Sequence, residues 1–174
     1  MPHGRRRMAN GSSGKVTTRH NDPMTAPTIT LREITKDTVR AICALDVGDH
    51  QRGFVAPNAV SIAEAHFEPK GWFRAVYADD DPVGFVMLHE DADESEYHLW
   101  RFMIDHRHQG NGYGRLAIAM VIDRVRSLPG GTRLVTSYVP GEGSPGAFYH
   151  RLGFVDTGEE EDGELVTVLD LGTR

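Results

Sequence analysis

Apolar residues recur along this chain with two different spacings, and the change from one spacing to the other predicts the order of its elements. Short runs that alternate or stay apolar predict strands, whereas spacings of three and four residues predict helices. The predicted strands cover 28–34, 72–78, 82–90, 96–104, 132–139, 154–160 and 164–171. The predicted helices cover 35–47, 58–67, 112–128 and 143–153. This order predicts a mixed α/β (α+β) layer, in which antiparallel meanders combine with one strand–helix–strand crossover.

Turn and capping residues support several of these boundaries. Asp162 and Gly163 form the dipeptide favoured in two-residue hairpin turns of type I′, so they predict a hairpin between the last two strands. Asn58 or Ser61 is expected to cap the second helix, and Ser144 the last one, because their side-chain oxygens can accept from unpaired helix amides.

Residues 1–27 lack any apolar periodicity and predict a disordered basic tail, since they cannot bury enough apolar area to offset their ordering entropy. The single predicted domain covers 28–174. The formal net charge of −6 divides into +4 for the tail and −10 for the rest. An acidic body is not expected to bind nucleic acid and favours cationic partners. A basic arm for nucleic acid and an organellar transit peptide remain alternatives for the tail.

Two further features narrow the setting. No apolar run approaches the ~20 residues that a transmembrane helix needs, so no membrane partner is expected. Cys43 is the only cysteine, which excludes an intramolecular disulfide and is typical of a reducing, cytoplasmic location.

The segment DHRHQGNGYGR places Gly110, Gly112 and Gly114 where a strand leads into the longest predicted helix. A helix N-terminus leaves about four N–H groups unpaired and carries about half a positive charge. Glycines allow an anion to approach this backbone, so the segment predicts a phosphate or pyrophosphate site, with Arg115 adding charge. The dinucleotide motif G-x-G-x-x-G would need glycine at Arg115 or Ala117, and the Gly-Lys-Ser/Thr of a P-loop is absent from the sequence.

Two motifs together resemble the GNAT superfamily of N-acetyltransferases. QGNGYG, from Gln109 to Gly114, is similar to the signature that wraps the pyrophosphate of coenzyme A, and FYHRLGF, residues 148–154, resembles the closing motif of that family. Tyr149 follows Gly114 by 35 residues, with one helix and one strand between them, as the family topology expects. The resemblance covers 29–171 and is greatest to bacterial spermine/spermidine acetyltransferases. It implies the GNAT fold: a central, mostly antiparallel twisted sheet of six or seven strands with about four helices, splayed between the fourth and fifth strands.

The resemblance also implies acetyl-CoA as cosubstrate, without a metal. In the family, the strand before the glycine turn pairs with the pantetheine through its backbone, and the turn binds the pyrophosphate. The residues that these roles fall to are Phe102, Met103, Ile104, Gln109, Gly110, Asn111, Gly112, Tyr113, Gly114 and Arg115. Tyr149 matches the tyrosine that protonates the coenzyme A thiolate as general acid.

The group that accepts the proton of the amine stays open at this point. Relatives that acetylate polyamines have a carboxylate at the position of Trp100, which cannot act as a base. Glu96 and His98 share its face by strand alternation, so either could act through water. His89, Glu90 and bulk water are the alternatives.

The expected acceptor is a primary amine, either a polyamine or another small cationic amine. Asp46 and Asp49 could bind its ammonium groups, and Phe54 or Trp72 could contact its methylenes. An aminoglycoside, a protein N-terminus or a lysine are alternative acceptors, and a non-catalytic acyl-CoA-binding sensor is the alternative function. Many relatives are dimers, which makes the C-terminal hairpin a candidate homodimer interface.

Overall fold

The computed structural model describes residues 26–172, so the expected tail lies outside the described residues except for its last two. The strands are β1 (Ile29–Arg32), β2 (Gly71–Ala78), β3 (Asp81–Asp91), β4 (Glu96–Ile104), β5 (Arg133–Tyr138), β6 (Val155–Glu161) and β7 (Glu164–Asp170). The helices are α1 (Val39–Cys43), α2 (Asn58–Phe67), α3 (Tyr113–Ser127) and α4 (Gly146–Arg151). The predicted order of elements is confirmed. Among the described helices, none has the length and apolar character needed to cross a membrane.

All seven strands form one sheet in the order β1-β2-β3-β4-β5-β7-β6. Every neighbouring pair is antiparallel except β4 and β5, which are parallel and meet at one pair of residues, His98 and Val135. Beyond that pair the two strands diverge. The predicted splayed, mostly antiparallel α/β fold is therefore confirmed.

Helices cover both faces of the sheet, and β3 shows how the sequence provides for this. Phe85 and Met87 pack in the cluster that includes α1 and α2 residues, whereas Val86 and Leu88 pack in the cluster under α3 and α4. All four side chains are fully buried or nearly so. A strand that is covered on both faces is apolar at successive positions, which explains why β3 does not alternate.

Helix α1 is much shorter than the predicted 35–47. It contains five residues and ends at Cys43, and the chain then continues without regular structure. Leu45 and Val47 are nevertheless buried in the same cluster as Ile42. The apolar spacing was therefore correct as a sign of burial, but tertiary packing rather than a longer helix buries these two side chains.

The expected caps of α2 were wrong. Pro57 is the N-cap residue, and no side chain accepts from the first amides of the helix. The Asn58 amide is buried and donates to the carbonyl of Ile42 at 2.8 Å, while the Ser61 hydroxyl donates to the carbonyl of Pro57 at 3.4 Å. Both polar side chains satisfy tertiary or local backbone contacts instead of capping.

Of the two boundary predictions near the C-terminus, the hairpin turn is confirmed and the cap of α4 is wrong by one residue. Asp162 and Gly163 have φ values of 50° and 84°, so the predicted two-residue hairpin turn with two left-handed residues is confirmed. Pro145 is the N-cap residue of α4, but the Ser144 hydroxyl does accept from the N–H of Gly146 at 3.3 Å.

Candidate active site

A cleft of ≈ 1040 Å³ opens where β4 and β5 diverge. Its walls come from the loop between α1 and α2, from β4, the glycine turn and α4, and from the turn between β6 and β7. Its volume is at the upper end of the range for small-molecule sites. Within residues 26–172, no cluster of three or more His, Cys, Asp or Glu side chains is arranged to hold a metal ion.

The glycine turn forms one end of this cleft. Gly110 and Gly112 have φ values of 80° and 81°, which residues with a Cβ rarely adopt, and a Cβ at either position would project into open space. Gly112 is the N-cap residue of α3, and the first bond of the helix runs from the N–H of Leu116 to its carbonyl. The N–H groups of the residues between them have no intrahelical partner, so this helix start suits a diphosphate.

Two of the expected cofactor-binding side chains hold the turn instead. The Gln109 amide donates to the carbonyl of Ile104 at 2.9 Å and to the Gln51 side chain at 2.8 Å. The Asn111 amide donates to the carbonyl of His108 at 3.0 Å, and Asn111 does not line the cleft. These contacts stabilise the turn and occupy both side-chain amides, so the donors left at the turn are mainly main-chain amides.

The end of β4 lines the cleft through Phe102, Met103 and Ile104. The Phe102 ring stacks on that of Phe148 with 5.9 Å between centroids, and the side chains of Met103 and Ile104 are buried. Their side chains therefore belong to the core. The β4 edge that faces β5 has no ladder partner beyond His98 among the described residues, so no strand lies beside this edge of β4 where Phe102, Met103 and Ile104 line the cleft.

A β-bulge interrupts β4 at Trp100, two residues before Phe102. Leu99 lies opposite Leu88 and Arg101 opposite Met87, which leaves Trp100 without a partner on β3. Bulges bend a strand and redirect its side chains, and they are common beside active sites. Here the bulge coincides with the part of β4 that leaves β5.

Tyr149 projects from α4 into the wall of the cleft and is 5% exposed. Burial raises the pKa of its hydroxyl to about 12, hydrogen bonding with Thr136 opposes that rise, and the charge of Glu164 adds to it. The Thr136 hydroxyl itself donates to the carbonyl of Leu99 at 2.9 Å. The phenol therefore lies beside the point where β4 and β5 diverge.

Of the groups considered as proton acceptors, His98 is the one that lines the cleft. Its side chain is 44% exposed, and its Nε2 lies 3.8 Å from the Glu96 carboxylate. Glu96 is 66% exposed and lies outside the cleft wall. His89 lies behind His98, with 6.4 Å between ring centroids, and Glu90 is bound by Arg124 through contacts of 2.6 and 2.8 Å.

Of the expected substrate-binding residues, one lines the cleft and the others do not. Phe54 lines the cleft, whereas Asp46 and Asp49 do not. Arg52 binds both carboxylates, at 2.5 Å and 2.6 Å, and its hydrogen bond lowers the pKa of Asp46. Trp72 lies on the α3 side of the sheet beneath an arginine, away from the cleft.

Three carboxylates that the sequence reasoning missed line the other end of the cleft. Glu161, Asp162 and Glu164 flank the turn between β6 and β7, and the Ser137 hydroxyl donates to Glu164. Within residues 26–172, none of the three is paired with a lysine, arginine or histidine. The only sequence signal was a run of acidic residues at a hairpin turn, which is also typical of a solvated surface.

Comparisons with known proteins agree with this geometry. The model of the acetyltransferase (GNAT) family matches residues 37–154. The spermine/spermidine N(1)-acetyltransferase of Bacillus subtilis (strain 168) is 29% identical over 154 residues, covering 82% of this chain and 99% of that protein.

Two solved structures show the same fold. An acetyltransferase from Thermus thermophilus superposes with a TM-score of 0.63 at 18% identity, over 85% of this chain and 100% of that one. The PaiA N-acetyltransferase of Thermoplasma acidophilum, solved in complex with coenzyme A, superposes with a TM-score of 0.58 at 13% identity, over 82% and 99%.

Proposed function

Because the chain belongs to the GNAT family of acetyltransferases, we propose that it transfers an acetyl group from acetyl-CoA directly to a polyamine or another small cationic amine. The observation that carries this proposal is the cleft itself. One end has the bare amides of a helix start, the middle has an unpaired strand edge beside a buried phenol, and the other end has unpaired carboxylates.

The donor half of the cleft suits acetyl-CoA. The diphosphate would bind the N–H groups at the start of α3, between Gly112 and Leu116, with Arg115 supplying a positive charge. The pantetheine would lie along the free edge of β4, whose N–H groups can polarise the thioester carbonyl. This arrangement brings the thioester beside Tyr149.

The ammonium group of the amine first loses one proton to water, because only the neutral amine is a nucleophile. The transfer itself then makes one bond, breaks one bond and moves two protons. The amine nitrogen attacks the thioester carbon, the carbon–sulfur bond breaks, and Tyr149 gives its proton to the departing thiolate. The burial that raises the pKa of Tyr149 keeps this proton in place until charge develops on the sulfur. A higher pKa also makes the phenol a weaker acid, and burial of the thiolate beside it, which raises the basicity of that thiolate, would offset this effect.

The amine must also lose a proton, and His98 is the side chain that we assign to accept it, directly or through water. It lies in the cleft at the residue pair where β4 and β5 meet. Imidazole is the side chain that most often takes this role near neutral pH. Glu96, outside the cleft wall and 3.8 Å from His98, would act only through that imidazole.

The acceptor half suits a molecule with more than one ammonium group. Glu161, Asp162 and Glu164 offer negative charge that forms no ion pair within residues 26–172, and Phe54 offers an apolar contact for methylenes. Asp46 would have to release Arg52 before it could bind an amine. The curated Bacillus relative, which is named for spermine and spermidine, supports the same class of acceptor.

A thiol-release assay with acetyl-CoA tests the proposal. The panel contains spermine, spermidine, an aminoglycoside, a lysine-bearing peptide and a peptide with a free N-terminus, and release is expected to be fastest with the polyamines. Release with only the aminoglycoside or a peptide would assign a different acceptor. Calorimetric binding of acetyl-CoA without release for any amine would instead indicate a non-catalytic sensor, and absence of binding would refute the proposal.

A further inference from the structure

The general acid proposed above sits on a helix that cannot fix its own orientation. Helix α4 has six residues, and isolated helices shorter than about 12 residues are marginal in water. A side-chain contact with a neighbouring strand fixes the position of α4. Nε2 of His150, the residue after Tyr149, lies 2.9 Å from the Asp156 carboxylate on β6.

Tyr138, the last residue of β5, joins the same contact. Its hydroxyl donates to the Asp156 carboxylate, 3.2 Å from each oxygen, and lies 3.4 Å from Nε2 of His150. Asp156 therefore holds α4 and β5 together from β6. The His150 contact lowers the pKa of Asp156, so the carboxylate remains charged and accepts both bonds near neutral pH.

The ring of Tyr138 occupies the space between the start of α4 and the ring of Tyr149. The two tyrosine rings are 6.3 Å apart between centroids. On the other side, a Cβ at Gly146 would lie 2.5 Å from the Tyr138 ring, so only glycine allows the ring to lie there. Tyr138 is thus fixed by contacts at both ends, its hydroxyl by Asp156 and its ring by α4.

We propose that Tyr138 is a positioning residue for the reaction: with Asp156 and His150 it sets the position of the Tyr149 phenol in the cleft. This inference rests on the proposed role of Tyr149 as general acid. Proton transfer depends steeply on the distance between donor and acceptor, and misplacement by about 1 Å can cost about a hundredfold in rate. Loss of the Tyr138 hydroxyl should therefore lower kcat without removing any group that binds acetyl-CoA.

A double-mutant cycle separates positioning from general stability. Tyr138→Phe keeps the ring and removes only the hydroxyl. Tyr97→Phe is the matched control, because the Tyr97 hydroxyl is also bonded within the same core, to the carbonyl of Pro129, but Tyr97 does not line the cleft. Both changes are made in the wild type and in Tyr149→Phe.

In the wild-type background, Tyr138→Phe is expected to lower kcat about tenfold and to leave KM for acetyl-CoA unchanged. In the Tyr149→Phe background, Tyr138→Phe should have no further effect on kcat, because the hydroxyl that Tyr138 positions is already absent. Asp156→Asn, which keeps one acceptor oxygen, should retain more activity than Asp156→Ala. An equal loss in the Tyr149→Phe background, or an equal loss from Tyr97→Phe, would overturn the inference.

A measurement without turnover distinguishes failure of this inference from failure of the proposed function. In protein with isotope-labelled tyrosine rings, the Tyr149 NMR signal should shift or broaden in Asp156→Ala and stay unchanged in Tyr97→Phe. An unchanged signal in Asp156→Ala overturns the inference whatever the activity. Absence of thiol release by the wild type with every amine refutes the proposed function instead.

Discussion

The main-chain N–H of Asp46 donates a hydrogen bond of 3.0 Å to the carboxylate of Asp105, 59 residues later in the chain. Asp105 is 1% exposed and also accepts from the backbone N–H of Arg107 at 3.0 Å and from its guanidinium at 2.8 and 3.0 Å. The residue that follows β4 therefore anchors both the glycine turn and the loop between α1 and α2. The Asp105 carboxylate thus joins two segments that form walls of the cleft.

Replacing this anchor should be costly. Asp105→Ala leaves the N–H groups of Asp46 and Arg107 without their acceptor, so we expect the free energy of unfolding to fall by about 2–4 kcal/mol. Urea denaturation measures the change. Asp123→Ala is the control: Asp123 is 80% exposed and only 4.0 Å from its nearest cation, so its replacement should change stability by less than about 0.5 kcal/mol.

The same carboxylate should make stability depend on acid pH. The hydrogen bond from Arg107 holds the pKa of Asp105 well below its ordinary 3.8. Asp105 therefore contributes its full stabilisation above that ordinary value, and the contribution is lost as pH falls below it. Unfolding measured from about pH 5 downward should show wild type losing more free energy than Asp105→Asn. Parallel curves for the two proteins would contradict this assignment.

Gly112→Ala should weaken acetyl-CoA binding. The left-handed backbone makes any Cβ unfavourable by about 1–2 kcal/mol, and at this position the Cβ would also project into the cleft. Gly158→Ala matches the strain, because Gly158 has a φ of 86° and open space around it but lies outside the cleft wall. Calorimetry with acetyl-CoA should show weaker binding for Gly112→Ala and wild-type binding for Gly158→Ala.

Tyr149→Phe should lower kcat by about a hundredfold or more and leave the Kd of acetyl-CoA close to the wild-type value. In the proposed mechanism the phenol donates a proton to the leaving sulfur and is not among the groups that bind the cofactor. Since the pKa of Tyr149 is about 12, the wild type should also show no loss of kcat up to about pH 10 from this group. An unchanged kcat in the variant would remove Tyr149 from the chemistry.

Glu164→Gln should discriminate between acceptors by their charge. A diamine would lose the attraction of one carboxylate, so its KM should rise about fivefold, while a monoamine of similar length should be affected less. Glu159→Gln is the matched control, because Glu159 is on the same hairpin but does not line the cleft. Equal KM values for wild type and Glu164→Gln with the diamine would place the distal ammonium elsewhere.

Local patterns predicted much of the fold, and they are the source of the residues proposed for the donor half of the site. The order of elements follows from apolar spacing, and Tyr149 and Gly112 follow from short motifs whose residues are neighbours in the chain. The length of α1 could not be predicted this way, because Leu45 is buried by packing from other elements. A periodic pattern reports that a side chain is buried, but not which element buries it.

The residues proposed for the acceptor half could not be predicted, for a related reason. The sequence alone gives no reason to treat Asp46 and Glu164 differently. In the structure, Arg52 binds Asp46, whereas Glu164 lines the cleft. The distinction depends on where two loops meet in space. Tyr138 is a similar case, since its partners His150 and Asp156 lie 12 and 18 residues away on two other elements.

The single ladder pair between β4 and β5 has a consequence for the lifetime of the protein. Most of the hydrogen bonds that would join β4 and β5 in a continuous sheet are missing. An extended ligand that bonds to the free edge of β4 would supply some of them. A ligand that binds only the folded chain stabilises it by about 2.7 kcal/mol at a hundredfold excess over Kd. Resistance of this enzyme to heat and proteolysis should therefore rise with the cellular level of its own donor.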